Sequence, residues 1–271
     1  MLLVHAHPDD ESITTGGTIA RYAAAGAEVI VVTCTLGEEG EIIPRGLDQL
    51  GAWAADQLGG YRAGELAAAG SALGWSGHRY LGGIGRWRDS GMAGTPAAEH
   101  PRAFVRGSAE EQTDQLVAVL DELRPEVVVT YDAAGGYGHP DHIRVHEITM
   151  AATERAESVV RVFHTVSSAA ATAKGLAELR AAGDGVRFRV PADGELPVTA
   201  DEQITTTIDV GDHLDRKFAA LRAHVTQVSV AEPCFALSNG IAQPVPVAEY
   251  YVLARGPAAG AATDLFGGLD S

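Results

Sequence analysis

LLVHAHPDDE at residues 2–11 and GGTIARYAAAGAEVIVVTCT at residues 16–35 together set the architecture. Leu2–His5 reads as a short buried strand, and His7-Pro8-Asp9-Asp10-Glu11 as the polar turn that leaves it. Gly16–Ala25 reads as a helix, with Gly26 suited to its C-terminal stop. Glu28–Thr35 is apolar and β-branched, which predicts a second buried strand. Strand, helix and strand within the first 35 residues form a βαβ unit and so predict a parallel sheet. A non-catalytic nucleotide- or sugar-binding module could start in the same way. It would, however, need a GxGxxG turn after the first strand to admit a pyrophosphate, and a His/Asp turn stands there instead.

The alternation continues along the chain. Leu47–Leu73 reads as helical with a break near Gly59-Gly60, His78–Leu81 as a strand, and Gly82–Gly107 as a long structureless loop of the kind that usually serves function. Ala109–Leu123 is a helix, Val127–Tyr131 a buried strand, and His139-Pro140-Asp141-His142 opens a helix running to about Ser158. Val159–Thr165, Thr205–Val210 and Tyr250–Ala254 read as strands, Ser168–Ala182 and Asp212–His224 as helices. The expected fold is α/β: a Rossmann-like, mostly parallel sheet flanked by helices, with a smaller mixed C-terminal region. The expected divisions are a catalytic domain at 1–160, a mixed region completing the pocket at 161–255, and a frayed tail at 256–271.

Composition narrows the partners. The 271 residues hold 36 acidic and 20 basic side chains, for a formal net charge of −16. Nucleic acids and anionic membranes need clustered Lys and Arg, so neither is expected as a partner. Cys34 and Cys234 match no metal or redox spacing; each reads as a buried apolar thiol, and nothing demands a disulfide. The apolar stretch Ala23–Leu36 is too short for a membrane span and carries Glu28. With a strand opening at Leu2, no signal peptide is expected and the location read from the sequence is cytoplasmic.

Two segments place ionisable residues directly after strands, where ligands bind in open parallel sheets: His5–Glu11 and Tyr137–His142. Each is a proline-stiffened turn presenting imidazole and carboxylate together. Three His or carboxylate ligands with an open position suit catalytic zinc, and the same set suits Fe(II), Mn or Co. Two adjacent aspartates can divide the roles of ligand and general base, and a surplus histidine can stabilise an oxyanion or protonate a leaving amine. Taken singly, each segment is also an ordinary polar turn, with Asp10 or Ser12 capping the next helix.

His7-Pro8-Asp9-Asp10-Glu11 paired with Gly138-His139-Pro140-Asp141-His142 resembles the LmbE/PIG-L family of metal-dependent deacetylases. Thr33–Glu41, Gly82–Met92 and Gly135–His139 extend the resemblance toward the branch that acts on N-acetylglucosaminyl-inositol. It is strong over residues 2–155 and patchy beyond, through Ala223–Gln227 and Leu237–Asn239. What it implies is one divalent metal per subunit, zinc first and Fe(II) as the alternative, bound by His7, Asp10 and His142. Asp9 would be the general base. His139 would act as acid or oxyanion stabiliser, with Asp141 orienting it, and Tyr137 would donate to the oxyanion. Glu41, Arg62, Asp89 and Met92 fall on sugar-contacting positions, while His224 and Gln227 match a motif near the site or supporting it.

The implied substrate is a small amino-sugar, with a homo-oligomer left open. Cleavage of a cysteinyl amide in a mycothiol S-conjugate, or deacetylation of another N-acetyl amino-sugar, are the alternatives. The first of these belongs to a branch with a lysine just after Asp-Asp-Glu, where this chain has Ser12-Ile13-Thr14-Thr15. His5 and His146 read as core or supporting histidines, Glu38 and Glu39 as a solvated turn, and Trp87 as either a loop anchor or part of a sugar contact flanked by Arg86 and Arg88.

Overall fold

In the computed structural model, which describes residues 1–269, β1 (Leu2–His5) runs through the centre and is buried along its whole length. Leu2 and Val4 face one apolar layer and Leu3 the other, as the period-two geometry of a strand requires. The single-turn α1 (Asp10–Thr14), α2 (Gly16–Ala24), β2 (Ile30–Thr33), α3 (Leu58–Leu73) and β3 (Gly77–Tyr80) follow. Next come α4 (Ala109–Leu123), β4 (Val127–Tyr131), the short α5 (Gly135–Gly138) and α6 (Pro140–Arg155). The remainder supplies β5 (Arg161–Val166), α7 (Ala169–Ala182), β6 (Thr206–Asp209), α8 (Leu214–Ala223), β7 (Ser229–Ala231), β8 (Cys234–Ala236), β9 (Gln243–Pro244) and β10 (Ala248–Arg255).

Among the described residues the main sheet has seven strands in the order β3-β2-β1-β4-β5-β10-β6. The pairings from β3 through β5 are parallel, and β10 runs antiparallel to both of its neighbours. α4 and α6 cover one face through Leu116, Leu120, Val145 and Ile148; α2, α3 and α8 cover the other through Ile19, Ala69, Leu73 and Ala220. This is the mostly parallel, helix-flanked α/β fold expected from the sequence. Chain order reverses between β1 and β4, and a crevice at such a switch point, beyond the strand C-termini, is where open parallel sheets bind ligands. The two ionisable segments leave the sheet from these two neighbouring strands.

The structure departs from the sequence reading of the fold at Gly59-Gly60, among the C-terminal strands and in the tail, and the 82–107 loop holds 3-10 turns at Pro96–Glu99 and Phe104–Arg106. Gly59 and Gly60 do not break a helix: α3 begins at Leu58, and the interruption lies upstream at 51–57, after a 3-10 turn at Arg45–Leu50. A Cβ on Gly59 would sit 2.8 Å from Glu38 Cγ and 2.9 Å from Leu36 Cβ, so this glycine marks a close helix–loop approach. The strands β7, β8 and β9 pair as a small antiparallel sheet within a stretch that carries no strand signal. The tail is not frayed through residue 269. Ala261 and Leu265 are buried, and Arg161 donates to the carbonyls of Pro257, Ala259 and Leu265 at 2.7–3.0 Å. The part of the expected tail at 270–271 lies outside the described residues. Among the described residues no helix is long and apolar enough to cross a membrane.

Candidate metal and active site

The turn after β1 is built by its own side chains. Asp10 Oδ2 accepts from the His7 backbone N–H at 2.8 Å and from the Tyr131 hydroxyl at 2.7 Å. Tyr131 ends β4, accepts from the Ala6 N–H at 2.9 Å, and stacks its ring on His142 at 4.2 Å. It therefore ties the two strand ends together at the switch point. On the other side, Pro140 occupies the first turn of α6 and His139 caps it, its Nδ1 accepting from the Asp141 N–H at 3.1 Å.

Three buried side chains converge from these segments. His7 Nδ1 and Asp10 Oδ2 are 3.5 Å apart, His142 Nε2 and Asp10 Oδ2 3.4 Å, and His142 Nε2 and His7 Nδ1 3.3 Å. Tetrahedral coordination at bond lengths of about 2.0–2.1 Å requires ligand–ligand edges of about 3.3–3.4 Å, so the triangle has the size of a zinc face. The outward ring nitrogens are also engaged. His142 Nδ1 donates to the Gly135 carbonyl at 3.2 Å, which leaves its Nε2 lone pair free, and His7 Nε2 meets Asp141 Oδ2 at 3.2 Å and Asp89 Oδ1 at 3.4 Å. Such outer partners fix the tautomer and orientation of metal-binding imidazoles. His139 brings a ring nitrogen close to those of His7 and His142, and Asp89 and Asp141 form a second grouping with His7.

Burial alone would neutralise every charged group here, and where it fails a neighbour is responsible. Against burial, His142 and His7 hold the Asp10 carboxyl well below the usual carboxylate range. Against burial again, Asp89, Asp10 and Asp141 hold His7 well above the usual imidazole range. Burial wins at Asp9, pushed up to about 6 although Arg62 pulls the other way, and at His139, pushed down to about 3 with His7 acting in the same direction. Burial also raises the Tyr137 hydroxyl, which keeps its proton.

Asp9 lies beside the triangle with φ 117° and ψ −32°, its Oδ2 3.1 Å from Arg62. Tyr137, more than half exposed, stands at the mouth with its ring 5.1 Å from that of His142 and 6.0 Å from that of His139. The Asp141 carboxylate does not orient His139, contrary to the sequence expectation. It accepts from the Ser90 N–H at 3.0 Å and meets His7, so only the Asp141 backbone serves His139. The two terminal nitrogens of Arg62 are occupied by protein groups, namely the carbonyls of Gly37 and Pro8 and the Asp9 carboxylate. Asp89 is buried against His7, while Glu41 is exposed and accepts from the Ser238 hydroxyl at 2.5 Å; Met92 is about half exposed. Tyr131 and Ser90 were not singled out by the sequence reading. The signal for Tyr131 was its place at the end of a strand predicted to open the second ionisable turn; for the Ser90 backbone there was none.

A His/Asp triangle at the switch point, with a buried carboxyl beside it and a hydroxyl at its mouth, is an arrangement that could hold a metal ion and carry hydrolytic chemistry. The family model for GlcNAc-PI de-N-acetylases, PIG-L, matches residues 2–153, and the chain belongs to this family. It is 71% identical over 269 residues, covering 99% of this chain and 100% of the relative, to the 1D-myo-inositol 2-acetamido-2-deoxy-alpha-D-glucopyranoside deacetylase of Saccharomonospora viridis. It is 64% identical to the protein of the same name from Actinosynnema mirum, covering 99% and 96% of the two chains. Among solved structures, the N,N'-diacetylchitobiose deacetylase of Pyrococcus horikoshii shares the fold at TM-score 0.55 and 18% identity, over 83% of this chain and 69% of that one.

Proposed function

We propose that the chain removes acetate from 1D-myo-inositol 2-acetamido-2-deoxy-α-D-glucopyranoside, the deacetylation step of mycothiol biosynthesis, using a divalent cation held by His7, Asp10 and His142. The substrate follows from the full-length similarity to relatives named for it. The observation that carries the chemistry is the triangle of two imidazole nitrogens and one carboxylate oxygen with edges of 3.3–3.5 Å. Zinc suits this donor set best, with Fe(II) second. When bound, such a cation supplies Lewis acidity toward a carbonyl and lowers the pKa of water.

The chain's own groups carry the remaining chemistry. Asp9, near 6 and beside the triangle, takes a proton from the attacking water. The Tyr137 hydroxyl and the His139 ring donate to the oxygen of the acetamide as charge develops on it. The C–O bond forms, the C–N bond breaks, and Asp9, protonated by the attacking water, delivers that proton to the departing amine. Asp89, Glu41, Arg62 and Met92 are the proposed sugar-side positions, Arg62 acting through the Asp9 carboxylate that it holds.

The test is acetate release by metal-reconstituted protein from the N-acetylglucosaminyl-inositol, from a mycothiol S-conjugate and from other N-acetyl amino-sugars. A large preference for the first is expected, and preference for the conjugate would overturn the substrate assignment. Asp9→Ala should lower turnover by about 10²–10⁴-fold while metal content stays near stoichiometric. Near-native turnover in that variant would remove Asp9 from the mechanism.

A further inference from the structure

Asp9 is held in a backbone conformation that a non-glycine residue rarely adopts, φ 117° and ψ −32°, and such outliers persist only where the surroundings over-determine them. Its N–H donates to Glu11 Oε2 at 3.0 Å, and its carbonyl accepts from the N–H groups of Ser12 and Ile13 at 3.0 and 2.9 Å. The other Glu11 oxygen accepts from the Ser12 hydroxyl at 2.5 Å and meets His224 Nε2 at 2.8 Å. Glu11 and His224 are both wholly buried, and among the described residues the other ring nitrogen of His224 has no hydrogen-bond partner. Every polar contact of this imidazole is therefore directed at the Glu11–Ser12 pair.

The turn after α8 is anchored as well. The Thr226 N–H and hydroxyl donate to the two Glu65 oxygens at 2.8 and 2.7 Å. Glu65 lies one turn beyond Arg62 on α3, and Arg62 binds the Pro8 carbonyl and the Asp9 carboxylate. Thus α3 fixes the peptide before Asp9 and its side chain, and α8 fixes the Asp9 N–H through Glu11. A buried ion pair is a weaker stabiliser than apolar side chains of the same volume. What this pair supplies is direction.

We propose that Glu11 and His224 are a positioning pair that holds the Asp9 backbone in its left-handed conformation, and thereby sets the carboxylate of the base against the reacting water. The inference rests on Asp9 being the base. Misplacing a reacting group by about 1 Å can lower a rate about 100-fold without weakening substrate binding.

The contrast that tests it is Glu11→Gln, which keeps an acceptor for the Asp9 N–H, against Glu11→Met, which keeps the volume and removes the acceptor. With kcat and KM measured on the metal-loaded protein, Glu11→Met should lose about 10–100-fold in kcat with KM within about twofold. Glu11→Gln should retain kcat within a few-fold. The ligand-field spectrum of the Co(II)-substituted forms should be unchanged in both, which separates displacement of Asp9 from damage to the metal ligands. Near-native kcat in Glu11→Met, or equal losses in both variants, would overturn the proposal. If Glu11→Met does not accumulate as folded protein, His224→Ala against His224→Gln gives the same contrast. If neither Glu11→Met nor His224→Ala folds, the pair serves folding alone and the proposal fails. Failure of the base assignment is read separately, from an active Asp9→Ala.

Discussion

His139 serves two purposes with one ring. Its Nδ1 caps α6 by accepting from the Asp141 N–H, while the ring stands 4.6 Å from that of His7 at the candidate site. The two purposes can be separated by substitution. His139→Asn keeps a side-chain acceptor at the N-cap and removes the imidazole, so its thermal stability should stay close to that of the parent while turnover falls at least about 100-fold. His139→Ala should lose turnover equally and also about 1 kcal/mol of stability, measured by chemical unfolding. An active Asn variant would leave the ring with the capping role alone. At this scale the sequence made the polar motifs legible, since each needs only neighbouring residues and a strand end. Which oxygen meets which nitrogen was not legible. That Asp141 turns to His7 rather than His139 depends on the Ser90 N–H, delivered by a loop 51 residues away in the chain.

Elements were legible where several local signals agreed. α4 and β4 fall where their patterns put them: Ser108 caps α4, Glu110 and Glu111 occupy its first turn, and β4 is an uninterrupted apolar β-branched run into Tyr131. β7, β8 and β9 were not legible because strands of two or three residues have no periodicity to read. They form because Phe235 packs with Phe218 and Leu221, and Cys234 with Leu176 and Leu179. The same distinction between local and tertiary fit governs glycine substitutions in the helices. A Cβ on Gly17, in α2, would lie 2.6–2.9 Å from the Val210 side chain beyond β6. Gly17→Ala should therefore lower stability by about 1–3 kcal/mol through overpacking. Gly64, inside α3, has open space around its Cβ direction, and Gly64→Ala should raise stability by about 0.4–1 kcal/mol by restricting the unfolded chain. Urea titration of both variants checks the pair. Shifts of the same sign would show that Val210 moves aside or that α3 is constrained in some other way.

At the scale of the whole molecule, acidification sets two effects against each other. The formal charge of −16 repels itself, and proton uptake relieves that repulsion in the folded and unfolded chains alike. Buried histidines whose titration differs between the two states add a slope of their own. Burial lowers His78 and His164 to about 4 each, with Arg79 adding to the effect at His78 and His146 at His164. A histidine whose folded value lies below its unfolded one leaves the unfolded chain holding more protons between the two values. Its contribution is complete above the unfolded value of about 6.5 and is lost as pH falls toward about 4. The stability supplied by these two histidines should therefore decline from pH 7 to pH 5. His78 can be isolated because its Nε2 bonds the Thr33 hydroxyl at 2.9 Å, a contact that glutamine can replace. With its partial exposure discounted, His78→Gln should reduce the loss between pH 7 and pH 5 by about 1 kcal/mol, read as the difference between two urea-derived stability profiles. Parallel profiles would mean that His78 titrates alike in both states, and the acid sensitivity would then have to come from other buried groups such as His164.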